Sequence, residues 1–363
     1  MQVVKESIFV SAIRSFFNAF LAMIGVEIGL VMLVVLAMTV SSQTPVSTGS
    51  ENFVMEILPD SEGNTTFLPD SAPVLLQVDV EGVIGMDDLN SSMFETGLRL
   101  SQHSTLIKSG RVKGILVNII SPGGSAYDSD EMYRSLKRYK EKYNVPIYVY
   151  TAGICASGGY MVACAGDKIY AAPSSIIGSV GVKTSPFFNI SGLMEKYGVK
   201  AVELSEGKNK IKYPMFTPLA KSSTGKDSDA SYADLAAITE QLYDQFTTLV
   251  SESREQKGLT KNLLITKYGA QVYLAPEAVK LGYIDETNTY RDEVLQELAK
   301  ASGIEQNTKY QVVRFKHKRS PLQSLVTSSV NMWTLKAKEW IYGIKHEGLF
   351  DKKFLYYCDF NDG

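Results

Sequence analysis

The stretch ICASGGYMVACAG, Ile154 to Gly166, sets Ser157 between an alanine and two glycines and continues into small and apolar residues that read as a buried helix. It follows PIYVY, Pro146 to Tyr150, a β-branched and aromatic run that reads as a strand. A serine at such a strand-to-helix corner has two physical readings. It can cap the helix, its oxygen accepting from a first-turn N–H. It can instead be a nucleophile, its hydroxyl held where the helix N-terminus and the next N–H stabilise developing negative charge. For Ser157 taken alone, the cap is the commoner case.

A second glycine-rich corner lies upstream. NIISPGGS, Asn118 to Ser125, leaves the apolar run ILVNII, Ile115 to Ile120. Pro122 removes one donor, whereas Gly123 and Gly124 let the backbone expose N–H groups in conformations closed to other residues. Exposed N–H groups at a strand end are what an oxyanion hole requires. Between the corners, Met132, Tyr133, Leu136 and Tyr139 recur on one helical face of Tyr127 to Tyr143. Val74 to Val80, Lys168 to Ala171, Ile177 to Val182 and Val199 to Leu204 read as further strands, and Ser231 to Gln256 as a helix. Strands alternating with helices predict βαβ units and an α/β fold with parallel strands.

A serine nucleophile needs a base for its proton. Histidine is the usual choice, but His103, His317 and His346 are the only three, and none sits in a motif-like setting. A lysine can serve if burial or neighbouring charge lowers its pKa from about 10.4 towards neutrality.

Taken in order, SPGG, ASGGY, GSVGV (Gly178 to Val182) and AVELSEGKNK (Ala201 to Lys210) resemble the signal peptide peptidase A family, membrane-anchored serine proteases of the Clp/crotonase fold. The resemblance runs from about Val74 to Glu286. It includes YGAQVYLAPEAVKLGYIDE, Tyr268 to Glu286, with Tyr283 where leucine is usual. It implies a Clp/crotonase-like βαβ superhelical core, Ser157 as nucleophile and a lysine as base about fifty residues later in a G-x-x-K pattern. Gly207 to Lys210 puts Lys210 in that place; Lys208 and Lys212 remain open as alternatives, and Ile211 to Pro214 keeps only part of the usual context. Ser179, within GSVGV, is implied to orient the lysine. The implied oxyanion donors are the N–H groups of Gly124 and Gly158, with Gly123 shaping the turn. No metal or organic cofactor is implied. The substrates implied are remnant signal peptides and similar hydrophobic peptides, and the assembly a homo-oligomeric ring.

The ends of the chain bear on location. Phe16 to Val40 is apolar except for Asn18 and Glu27, and long enough for a hydrocarbon core of about 30 Å at about 1.5 Å per residue. A Ser/Thr/Pro/Gly linker, SSQTPVSTGS, follows it. Lys5 and Arg14 precede the span, whereas Glu51, Glu56, Asp60 and Glu62 follow it with no Lys or Arg before Arg99. That asymmetry predicts a single-pass anchor in the inner membrane with the catalytic domain outside the cytoplasm. Glu27 is costly within a bilayer unless paired, which makes it a candidate contact between anchors. The expected organisation is a cytoplasmic N-terminus (1–15), the transmembrane anchor (16–40), a linker (41–72), the protease domain (73–300) and a C-terminal extension (301–363). In that extension the basic stretch Lys309 to Arg319 precedes apolar residues from Leu322 to Ile344 at three- and four-residue steps, an amphipathic helix.

Composition limits the alternatives. The 363 residues are 45% hydrophobic and 21% charged, with a formal net charge of −2, which gives no general electrostatic case for nucleic acid. Cys155, Cys164 and Cys358 form no CxxC pair or Cys/His ligand cluster and read as small buried hydrophobes. Three rivals remain: an acyl-CoA enzyme of the crotonase type, a catalytically inactive membrane scaffold on the same fold, and a stomatin-operon type protease. The first predicts neither an essential Ser157 nor an anchor.

Overall fold

The computed structural model describes residues 53–102, 107, 109–184, 188–202, 206, 215–216 and 233–318, together with residues 14, 16–18, 20–25, 27, 29 and 32. The chain divides into two units, Met1–Glu51 and Asn52–Gly363. In the first, the described positions are helical and expose Phe16, Phe17, Phe20, Leu21 and Met23. Among the described residues no helix is long and apolar enough to cross a membrane; the rest of the predicted span 16–40 lies outside them, as does residue 319 onward with the predicted amphipathic helix.

In the second unit the elements follow one another as β1 (Phe53–Leu58), β2 (Val74–Glu81), α1 (Ser91–Leu100), β3 (Val112–Ile120), α2 (Ala126–Tyr143), β4 (Ile147–Thr151), β5 (Ile154–Ala156), α3 (Gly158–Ala163), β6 (Lys168–Ala171), β7 (Ile176–Gly178) and α4 (Ser191–Lys196). Then come α5 (Ala233–Arg254), β8 (Val272–Leu274), α6 (Ala275–Lys280), β9 (Glu286–Thr287), α7 (Arg291–Ala301) and β10 (Gln311–His317). Seven strands form one sheet in the order β1-β10-β2-β3-β4-β6-β9, parallel throughout except that β1 runs antiparallel to β10 at one edge. A second sheet, β5-β7-β8, leads through β5 into Ser157, whereas the SPGG segment leaves β3 of the larger sheet.

A parallel sheet is covered on both faces, and the strand residues divide accordingly. Leu76, Ile115, Val117 and Val149 pack with Phe94 and Leu98 of α1, Met132 and Leu136 of α2 and Val162 of α3. The alternate residues Leu75, Leu116, Tyr148, Tyr150 and Tyr170 pack on Val294, Leu295 and Leu298 of α7. Helix α2 starts where Ser125 Oγ accepts from the Asp128 N–H at 3.2 Å and stops at Asn144 in the left-handed conformation. Its predicted face is the one buried, and the Tyr139 hydroxyl is satisfied by Gln102 Nε2 at 2.6 Å and Ser101 Oγ at 2.8 Å.

Three expectations are corrected. The run Ile177 to Val182 is not a continuous strand: β7 ends at Gly178, where φ is +120°, and Ser179 follows at φ +54°, so GSVGV is a turn. Val199 to Val202 are exposed and irregular, without strand pairing; the remainder of that run, 203–205, lies outside the described residues. The domain also extends beyond 73–300 on both sides. Strand β1 falls in the expected linker and β10 in the expected extension, yet Ile57 pairs with Val313 and Val313 with Leu76. The basic stretch contains a strand because Val312 and Val313 are buried and its charges find cross-strand carboxylates: Arg314 reaches Glu56 at 2.8 Å and Asp79 at 2.7 Å.

Candidate active site

The two glycine-rich corners meet through Ser121. Its N–H donates to Ile154 O at 2.7 Å and its carbonyl accepts from Ala156 N at 3.1 Å, so the SPGG corner is paired in parallel with β5. Its side chain shapes the corner as well: Oγ donates to Gly82 O at 2.6 Å and accepts from Gly123 N at 3.1 Å. On the other flank Ile84 pairs with Gly124, through Ile84 N to Gly123 O at 2.9 Å and Ser125 N to Ile84 O at 2.8 Å. The Gly124 N–H is left over. Gly123 has φ +98°, and a Cβ there would lie 2.7 Å from both Ser157 Cβ and Gly158 N and 3.0 Å from Ser157 Oγ. The glycine at 123 is what lets the corner approach the serine this closely.

Ser157 occupies the N-cap position of α3, but its side chain makes no capping hydrogen bond. The capping reading therefore fails here. Its backbone is at φ +52°, ψ −124°, a conformation that costs a non-glycine residue about 1–3 kcal/mol and is tolerated where the surroundings over-determine it. Those surroundings are visible: Ser157 N donates to Gly178 O and Ser157 O accepts from Met161 N, both at 2.9 Å. The result is a partly exposed hydroxyl at the head of a helix whose other residues, Gly158 to Ala163, are buried.

The Gly158 N–H, like that of Gly124, has no partner among the described residues. The two corners bring these donors to one place: a Cβ on Gly158 would lie 3.4 Å from Gly124 N. That Cβ would also strike Ser129 Oγ at 2.2 Å. Ser129 is wholly buried, with its hydroxyl donating to Ser125 O at 2.7 Å, and it forms the wall behind the donors. Gly158 is buried, so its unpaired N–H is costly unless something uses it, whereas Gly124 is exposed and its N–H is open to solvent or a ligand; an oxyanion is a group that fits two such donors. Sequence reasoning missed Ser121 and Ser129, whose only signal was their place within and just after SPGGS.

Ser179 lies one residue from the Gly178 carbonyl that holds Ser157. Its N–H donates to Gln271 O at 2.7 Å and its carbonyl accepts from Gly181 N at 2.9 Å. Both serine-bearing turns thus rest on the β5-β7-β8 sheet. Lys208, Lys210 and Lys212 lie outside the described residues, as do His103 and His346. His317, at the end of β10, contacts Asp88 at 3.5 Å and the Phe53 ring, and not Ser157. A groove of about 560 Å³ opens beyond the Ser179 turn, lined by Val182, Leu235, Ala236 and Tyr243 together with Thr184, Thr239 and Glu240.

The nucleophile helix is anchored below by buried polar groups. Burial pushes the Cys155 and Cys164 thiols up, Cys164 to about 11, so both are neutral packing residues. Arg254, only 4% exposed, bonds Asp285 Oδ2 at 2.8 Å and Gly282 O at 3.0 Å. Burial raises the Asp285 carboxyl, but Arg254, Lys257 and the Ile169 N–H together hold it below the usual carboxylate range.

Residues 139–305 match the family model described as Peptidase family S49. A chain described as a protease in Methanocaldococcus jannaschii is 32% identical over 202 residues, covering 55% of this chain and 60% of that one. One described as a signal peptide peptidase SppA in Enterococcus faecium is 28% identical over 270 residues, covering 74% and 72%. Among solved structures, ClpP1 from Listeria monocytogenes superposes with a TM-score of 0.36 at 14% identity, over 60% of this chain and 94% of that one, a likeness too distant to carry weight. The family match spans the nucleophile corner, the GSVGV turn and the segment from Tyr268 to Glu286 that supports them. The chain thus carries a match to Peptidase family S49 over residues 139–305 and is similar to chains described as a signal peptide peptidase and as proteases, spanning 60% of the length of the Methanocaldococcus jannaschii relative.

Proposed function

We propose that the chain is a membrane-anchored serine endopeptidase working through a Ser157–Lys210 dyad. The observation that carries this reading is Ser157 itself: an uncapped, partly exposed serine at positive φ beside two unpaired N–H groups. In the reaction, Ser157 Oγ attacks a peptide carbonyl while Lys210 takes its proton. The tetrahedral oxyanion is stabilised by the Gly124 and Gly158 N–H groups, and Lys210 then protonates the leaving amine. Water hydrolyses the resulting acyl-enzyme, with Lys210 again as base. Ser179 orients the lysine amine. The resemblance to the signal peptide peptidase A family supports the lysine, since Gly207 to Lys210 matches the expected pattern.

The substrates proposed are remnant signal peptides and similar hydrophobic peptides; the apolar groove beside the Ser179 turn supports an apolar diet. Anchoring through 16–40 in the inner membrane, an extracytoplasmic catalytic domain and assembly as a homo-oligomer complete the proposal.

The test is a fluorophosphonate probe applied to detergent-solubilised wild type, Ser157→Ala and Lys210→Met. Labelling and peptide cleavage by wild type alone supports the dyad. A wild-type chain that neither labels nor cleaves points to the inactive-scaffold reading, and a Lys210→Met variant with full activity moves the base to Lys208 or Lys212.

A further inference from the structure

Building on the Ser157 reading, we propose that Tyr283 is a positioning residue: its ring sets the nucleophile helix α3 against the turn that carries Ser179. Tyr283 is fully buried and lies at the meeting point of three other tyrosines. Its ring centroid is 5.4 Å from Tyr160, 5.5 Å from Tyr273 and 6.2 Å from Tyr268. Tyr160 is three residues after Ser157, within the same short helix, and its hydroxyl donates to the Tyr283 carbonyl at 2.6 Å. Tyr273 lies in β8 opposite Ile177 of β7, and the same strand pairing continues to Gly178, whose carbonyl holds Ser157 N. Two residues before Tyr273, Gln271 O accepts the Ser179 N–H at 2.7 Å. One ring therefore touches both the helix that presents Ser157 and the strand that directly follows the Gln271 carbonyl holding Ser179.

The main chain on either side of Tyr283 is clamped, so the ring is a fixed wedge. Arg254 binds Gly282 O and Asp285, Ile169 N donates to Asp285 Oδ2 at 2.8 Å, and Lys257 reaches Asp285 at 2.9 Å. At Gly282, φ is +85° and a Cβ would lie 2.6 Å from Lys257 O, so the main chain packs closely on the Lys257 backbone there. The ring and not the hydroxyl carries the role, because Tyr283 Oη is buried with no hydrogen-bond partner among the described residues. The three rings around Tyr283 are spaced for a fourth in this chain, so leucine, though usual at this position in the resembled family, would leave part of that space unfilled here.

The experiment measures fluorophosphonate acylation and peptide cleavage for wild type, Tyr283→Phe, Tyr283→Leu, Tyr273→Leu and Tyr160→Phe, each normalised to folded protein by circular dichroism. Tyr283→Phe keeps the ring and is expected to match wild type in both rates. Tyr283→Leu is expected to lose roughly tenfold to a hundredfold in acylation rate and kcat, with KM little changed, as small misplacements of reacting groups do. Tyr160→Phe removes the 2.6 Å bond to the Tyr283 carbonyl together with the hydroxyl's contact with Cys164 and is expected to fall in the same direction by less. If folded Tyr283→Leu acylates like wild type, the positioning role is wrong. If Tyr283→Leu does not fold, Tyr273→Leu decides, since it removes the ring contact on the Ser179 side and leaves Tyr283 in place: a wild-type acylation rate there overturns the proposal. A wild-type chain that fails to label removes the serine-protease reading and this inference with it, whereas labelled wild type with unaffected variants removes this inference alone.

Discussion

Replacing Gly123 by alanine tests the oxyanion corner at its tightest point. The added methyl lands 2.7 Å from Ser157 Cβ and from Gly158 N, and 3.0 Å from Ser157 Oγ, at a backbone φ of +98°. The left-handed conformation costs an alanine about 1–2 kcal/mol, and forcing a methyl into a packed contact costs about 1–3 kcal/mol. Together, Gly123→Ala should lose about 2–5 kcal/mol, less than a typical domain stability of about 5–15 kcal/mol, so the variant folds with a lower Tm. The overlap is relieved by moving Ser157 and the Gly158 N–H or by moving the Gly123–Gly124 corner, and each displaces an oxyanion donor from the hydroxyl. Losing one oxyanion donor costs about a hundredfold to a thousandfold in kcat. The assay pairs calorimetric Tm with the rate of fluorophosphonate labelling. Gly97→Ala in α1 is the control, because a Cβ there meets nothing within 4 Å; it should raise Tm slightly by its helix propensity and leave labelling alone. Labelling of Gly123→Ala at the wild-type rate, with Tm unchanged, refutes this account of the corner.

Two further expectations concern the groups beneath the nucleophile helix. Breaking the buried Arg254–Asp285 pair with Asp285→Asn should cost about 3–5 kcal/mol near neutral pH, read as a drop in denaturation midpoint. Since the folded Asp285 carboxyl is held below its ordinary value, its contribution is present above the unfolded carboxylate pKa and disappears as pH falls through the depressed folded one. The gap between wild type and Asp285→Asn should therefore narrow in acid; a gap independent of pH contradicts the ion pair. Cys155 and Cys164, fully buried with raised pKa values, should resist iodoacetamide in the native chain at pH 8 and alkylate on denaturation. Peptide mapping that finds either modified in the folded state shows the nucleophile helix to be looser than its packing.

Much of the core was legible because its signals are local. The strands Val74, Ile115 and Pro146 onward and the helix from Tyr127 follow from runs and periodicities that depend only on near neighbours, and the buried residues Met132, Leu136 and Tyr139 fall on the face those periodicities name. Strands β1 and β10 were not legible: FVMEIL and QVVRFKH carry charges that look solvated until Arg314 meets Glu56 and Asp79 across strands more than two hundred residues apart. The GSVGV turn was misread as a strand because β-branched residues are common to both, and the positive φ values at Gly178 and Ser179 depend on the Gln271 and Ser157 backbones that hold them.

For the site, the sequence by itself supplied the residue types: a serine at a glycine corner, a second corner able to offer N–H groups, three histidines outside any motif-like setting, and a family resemblance that names Lys210. Whether Ser157 caps its helix was a question for tertiary structure, since the same residue serves both roles locally. The fold decided it by pairing Ser121 with β5 and Ile84 with Gly124, which leaves the Gly124 and Gly158 N–H groups unpaired next to the hydroxyl. Ser129 behind the donors and Tyr283 beneath the helix come from the same cause. They act through contacts between segments distant in the chain, and a pattern read along one strand of sequence carries no record of which surfaces meet.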